Sequence, residues 1–130
     1  MADAWLLQAG DPLPTLPIRG GAWRIGDFAG QWGVVVVAPV AMALAALDDV
    51  VLLAIVSPAP QLGPSAPWRG DTTGEAALRL GARLADGRVA PVAVLVEPGG
   101  LVAGAVQGSS AAEAVARALA IYRELRRRPG

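Results

Sequence analysis

Apolar positions along this chain follow two distinct periods. From Trp32 to Ala38, and again from Val50 to Val56, odd and even positions are alike apolar, and β-branched residues dominate. Successive strand residues face opposite sides, so such runs predict strands covered on both faces, as at the centre of a parallel sheet. Around Ala76, Ala77, Leu80 and Leu84 the spacing becomes helical, predicting a helix capped by Asp71, Thr72 or Thr73 and running to about Leu84. A second helical stripe, Val115, Leu119, Tyr122 and Leu125 or Arg126, predicts a final helix from Ala111 to about Arg127, opened by a capping box of Ser110 and Glu113. Between the two apolar strands, Pro39 suits a first helical turn, and the Ala-rich segment Val40 to Leu47 reads as a short helix before Asp48 and Asp49.

Glycine and proline punctuate the rest. Residues 8 to 21 contain three prolines and three glycines, which suits an irregular extended arm with short strands near Leu16 to Ile18 and Ala22 to Arg24. Gly26 to Gly30 reads as a helical turn closed by glycine. Ser57 to Gly70, with four prolines and two glycines, reads as a long surface loop holding Trp68. Asp86-Gly87 marks a turn, and Pro98-Gly99-Gly100 joins strands Ala93 to Val96 and Leu101 to Val106 as an antiparallel hairpin. The expected architecture is α/β: a central mixed sheet with helices on both faces, in one domain spanning 1–130, with 8–33 as an N-terminal extension and first hairpin.

Composition narrows the chemistry. The 130 residues carry 11 cations, all Arg, against 11 anions, so the charge balance gives no footprint for nucleic acid. Lys, Asn, His and Cys are absent, the mark of a GC-rich genome. Without Cys or His there is no disulfide, no thiolate nucleophile, no imidazole base and no zinc site of the usual ligand set. The remaining carboxylates, hydroxyls, Tyr122 and arginines fall in no catalytic spacing, and no cofactor is implied. Apolar runs shorter than the roughly 18 residues of a membrane span, and an acid at Asp3 where a leader needs bases, lead to the expectation of a soluble, cytoplasmic protein.

Three stretches resemble one family. Gly10-Asp11-Pro12-Leu13-Pro14, Leu16-Pro17 and Asp27-Phe28-Ala29-Gly30-Gln31-Trp32 before the valine run resemble the opening GDxxPxFxLP…DFxGKWVVLxF of peroxiredoxins and thiol-disulfide reductases. Asp71-Thr72-Thr73-Gly74-Glu75, ending at Leu80-Gly81, is similar to their D-x-x-G-E-x-A-x-x-Y-G. Pro91 to Gly100 is similar to P-T-T-F-L-I-D-x-x-G, whose first residue is the family's cis-proline. The resemblance covers nearly the whole chain and implies a thioredoxin-like three-layer fold. It also shows what is missing. The peroxidatic P-x-x-x-T-x-x-C, counted from Pro39, puts Ala43 and Ala46 at the Thr and Cys positions. The family's late arginine would fall at about Pro91, and no W-C-x-x-C follows the strand. Thiol-disulfide and thiol-peroxidase chemistry are therefore excluded.

Two functions from different classes remain. In the first, the chain is a redox-inactive protein-binding or structural subunit, accessory or chaperone-like, with a protein partner or a homo-oligomer on a face built from Pro39, Val40, Met42 and Pro91. Met42 and its neighbours are either that face or a buried helix, and Pro91 is either a peptide-binding or a purely structural turn. Trp5 and Trp68, in irregular segments, are candidate interface anchors, while Trp23 and Trp32 read as core or edge. A 54% hydrophobic, 17% charged composition, against averages of about 45 to 50% and about 25%, favours association. In the second, Ser57, Arg69, Asp71 or Arg88 convert the old cleft into a small-ligand or non-thiol catalytic site. Arg126-Arg127-Arg128 reads as a solvated helix end, and Asp48-Asp49 as a loop cap rather than a metal site.

Overall fold

The computed structural model describes residues 6–12, 16–18, 21–23, 30–44, 50–57, 68–71 and 73–127. Two short strands, β1 (Leu16–Ile18) and β2 (Gly21–Trp23), pair antiparallel as a separate ribbon. The main sheet is formed by β3 (Gly33–Ala38), β4 (Val51–Val56), β5 (Trp68–Gly70), β6 (Val92–Val96) and β7 (Val102–Gln107), in the order β5-β4-β3-β6-β7. β3, β4 and β5 run parallel, whereas β6 is antiparallel to β3 and β7 antiparallel to β6.

The valine run takes the central position because both its faces are covered. Val35 and Val37 join Leu53, Ile55, Val92 and Val94 in a core closed by Ala76, Ala77 and Leu80, whereas Val34, Val36 and Ala38 face Ala114, Val115 and Ala118 of α2 (Ala111–Arg127). A strand with apolar residues on one face only could not sit there without exposing the other. Among the described residues no helix is long and apolar enough to cross a membrane.

The first described helix is shorter than the pattern predicts. α1 spans Glu75–Arg79, not a segment reaching Leu84. Gly81 adopts φ 75°, its amide donates to Leu78 O (3.1 Å), and the Ala82 amide donates to Ala77 O (2.9 Å). This is a Schellman termination, and glycine at that position is the stop signal. The chain then folds back around Asp86-Gly87, with Arg83 bridging Val89.

Two further expectations are corrected. The segment 57–70 is not loop throughout, because Trp68–Gly70 forms the sheet's edge strand β5 beside Ala54–Val56; residues 58–67 lie outside the described part. The helix expected from Val40 is absent over residues 40–44, which have no regular structure; 45–49 lie outside the described residues. The predicted hairpin is present, with Glu97 N–H donating to Leu101 O (2.8 Å), and the N-terminal arm lies along the start of β7 through Gly10 N to Val102 O (2.8 Å) and Val102 N to Asp11 O (2.7 Å).

Candidate functional site

The strand directions bring one set of chain ends to one edge of the sheet. Ala38 ends β3 and Val56 ends β4, while Val92 opens β6 opposite Val37 and Gln107 closes β7 opposite Val92. The chain leaves β3 for β4 and β5 on one side and returns to β6 on the other, which makes this edge the switch point, where open α/β sheets place their binding crevices.

An apolar groove of about 180 Å3 lies here, lined by Ala38, Pro39, Val40, Met42, Pro91, Ser109, Ser110 and Ala111. Four of the six candidate face residues thus converge. Val40 is 70% exposed and Met42 40%, so the segment after β3 is surface and not a buried helix. Pro91 is held in place through its carbonyl, which accepts the Gly108 amide at 2.9 Å. Gly108 is required by proximity, because a Cβ there would stand 2.6 Å from Ala114 N.

Trp68 plays a different part from the one expected. It is only 5% exposed, packed among Ala54, Val56 and the α2 side of the core, and its indole N–H donates to the Met42 carbonyl at 2.8 Å. It supports the groove from behind and is no exposed anchor. Trp5 and Ala46 lie outside the described residues, as do Asp48, Asp49 and Arg128. Ala43, at the vacated threonine position, is exposed beside Met42.

The groove's far rim is the start of α2. Ser110 Oγ accepts the Glu113 amide at 3.2 Å, the first half of the expected capping box. The reciprocal half is shifted by one residue: the Glu113 carboxylate accepts the Ser109 amide (3.0 Å) and the Ser109 hydroxyl (3.1 Å). Those two bonds, backbone first, hold Glu113 below its ordinary pKa against the opposing desolvation, with a lesser contribution from the nearby Arg117.

The residues of the alternative polar site do not converge as a set. Ser57 (2% exposed) and Asp71 (1% exposed) do meet, the Ser57 hydroxyl donating to Asp71 Oδ2 at 2.9 Å. The same carboxylate accepts the amides of Gly74 (3.1 Å), Ala76 (3.3 Å) and Ala77 (3.0 Å). Asp71 therefore stitches the start of α1 to the end of β4, with both its oxygens occupied. A cavity of about 230 Å3 beside it is lined by Thr73, Arg83 and Val89 among others, but not by Arg69 or Arg88. Arg69 is exposed on β5, and Arg88 Nε pairs with Asp86 at 2.7 Å. The backbone and then the side-chain hydrogen bond from Arg88 keep Asp86 below its ordinary pKa.

The fold these elements define is the thioredoxin-like fold of the peroxiredoxins. No protein-family model matches the chain, and no curated protein matches it. Solved structures do. AhpC from Mycobacterium tuberculosis superposes with a TM-score of 0.68 at 17% identity, covering 93% of this chain and 99% of its own. A thiol peroxidase from Chromobacterium violaceum gives 0.66 at 12% identity over 96% and 90%, and a peroxiredoxin-like protein from Aquifex aeolicus 0.62 at 13% over 95% and 91%. This chain shares their architecture and has no cysteine, so it carries out no thiol-peroxidase chemistry.

Proposed function

We propose that the chain is a redox-inactive binding subunit whose groove at Pro39, Val40, Met42 and Pro91 holds an apolar segment of a protein partner. The observation that carries this reading is the pairing of exposed apolar side chains, Val40 and Met42, with a nearly all-apolar concavity at the switch point of the sheet. Exposed, flexible methionine beside a preformed groove suits adaptable protein recognition, and the lining offers few polar groups to orient a small polar substrate. The arrangement serves an accessory or chaperone-like role.

The test is site-specific photo-crosslinking in the source organism. A crosslinker at position 42 is expected to capture one partner, which Val40→Glu in the same chain abolishes, while a crosslinker at the exposed Leu78, on α1, captures nothing. Native mass at low concentration should then show a complex. A 13.2 kDa monomer with equal labelling at both positions would sink the proposal.

A further inference from the structure

The opposite end of β3, roughly 20 Å from the groove for a six-residue strand, carries a different surface. There Gln31, Trp32, Tyr122, Arg123, Arg126 and Arg127 line a basin of about 590 Å3. Trp32 is half-buried and meets Tyr122 edge-on, with ring centroids 5.4 Å apart, so the basin has an aromatic wall. Arg123, Arg126 and Arg127 are spaced i, i+3 and i+4 and so share one helix face. Elsewhere the arginines of the two helices stand beside carboxylates: Arg79 meets Glu75 at 3.4 Å and Arg117 meets Glu113 at 3.3 Å. Among the described residues no ion pair joins any of the three basin arginines to an acid.

We infer that this basin binds a nucleoside phosphate, the arginines taking the phosphates and the Trp32 wall the base. The dipole of α2 accounts for cations in its last turn, but not for their gathering around a concavity with an aromatic wall. Like charges at these spacings disfavour the helix, a cost that a bound polyanion removes. Guanidinium forks match phosphate oxygens in pairs, and an indole ring offers a stacking face to any base. The basin's volume lies within the range of about 300 to 1,000 Å3 that small-molecule sites occupy, and its single concavity suits a compact ligand better than an extended acidic peptide. This inference does not depend on the function proposed for the groove.

The experiment is titration of the 15N-labelled full chain with metal-free ATP, tripolyphosphate and adenosine, followed by amide NMR at low ionic strength. ATP is expected to give saturable shifts confined to Gln31, Trp32 and residues 122–127, with tripolyphosphate binding more weakly at the same place. Arg126→Ala should lower ATP affinity roughly tenfold or more, and Arg83→Ala, at an exposed arginine elsewhere, should leave it unchanged. Non-saturating shifts spread over all arginines would overturn the site. Tripolyphosphate binding as tightly as ATP, with adenosine shifting nothing, would overturn the nucleoside.

Discussion

Two regions at the same edge of the sheet divide its polar and apolar surface in opposite ways. Around Asp71 the chain collects its chemically capable groups, a buried carboxylate and a buried hydroxyl, and spends both on amides and on one another. Around Pro39 and Met42, one strand away, it has few such groups and leaves apolar side chains open to solvent. The difference teaches that reactive residue types are poor guides to where this edge leaves apolar surface uncovered. At this edge the carboxylate and hydroxyl able to do chemistry hold the fold together, and the uncovered apolar surface lies at Val40 and Met42.

The contrast is broken most directly at Asp71. Asp71→Ala removes the acceptor of three amides and of Ser57 Oγ at a buried position, and it should lower stability by about 3 kcal/mol in urea unfolding. Partner capture by the fraction that remains folded should persist. A loss below about 1 kcal/mol would mean that the carboxylate is free for other work, and would revive the polar-site reading.

Gly108→Ala tests the groove's own support. Its Cβ would meet Ala114 N at 2.6 Å and Ser110 O at 3.0 Å, both backbone atoms, so the start of α2 must shift away from Pro91. A destabilisation of about 2 kcal/mol is expected, together with weaker partner capture. Gly104→Ala is the control, because there the Cβ meets the movable Ile121 Cδ1 at 3.2 Å and the strain is relieved by a small rotation. Equal effects of the two substitutions would contradict the idea that the rim is built by close approach at Gly108.

Much of this frame was legible in the sequence. The valine run and Val51–Val56 are apolar on both faces, which only a covered sheet tolerates, and the hairpin and final helix carry explicit turn and cap residues. The failures have physical causes. β5 is three residues long and follows a proline, so it has no room for a period, and its burial alternates only at Trp68, Arg69 and Gly70. The apolar, Ala-rich composition of 40–47 predicts a helix there. Tertiary contact overrides it, since the Met42 carbonyl takes its hydrogen bond from the indole of Trp68, a partner 26 residues away that local propensity does not register. The convergence of Pro39, Val40 and Met42 with Pro91 was legible through the family resemblance, whereas the basin at Trp32 and Arg126 was not, because its two walls are joined only by the packing of α2 on β3.

That indole bond gives a smaller effect. Trp68→Phe keeps an aromatic ring at the same site but releases the Met42 carbonyl, for an expected loss of about 1 kcal/mol. Faster amide hydrogen exchange over residues 41–44, with β4 unchanged, would show that Trp68 orders the groove segment from behind. Unchanged exchange there would assign Trp68 to the core alone.

The smallest effect lies at the groove's other rim. Glu113 is held below its ordinary value of 4.5 chiefly by the Ser109 amide and hydroxyl, then by Arg117. A carboxylate whose folded pKa is depressed contributes stability that is fully present above the unfolded value and is lost as pH falls through the folded one. Acidification below about pH 4.5 should therefore release Ser109 and loosen the first turn of α2, which forms the serine side of the groove. Glu113→Gln should flatten that part of the stability-pH curve. The carboxyl carbon shift of Glu113, followed through the titration by NMR, reports the midpoint, and a midpoint at or above the ordinary glutamate value would show that Ser109 does not hold the charged form.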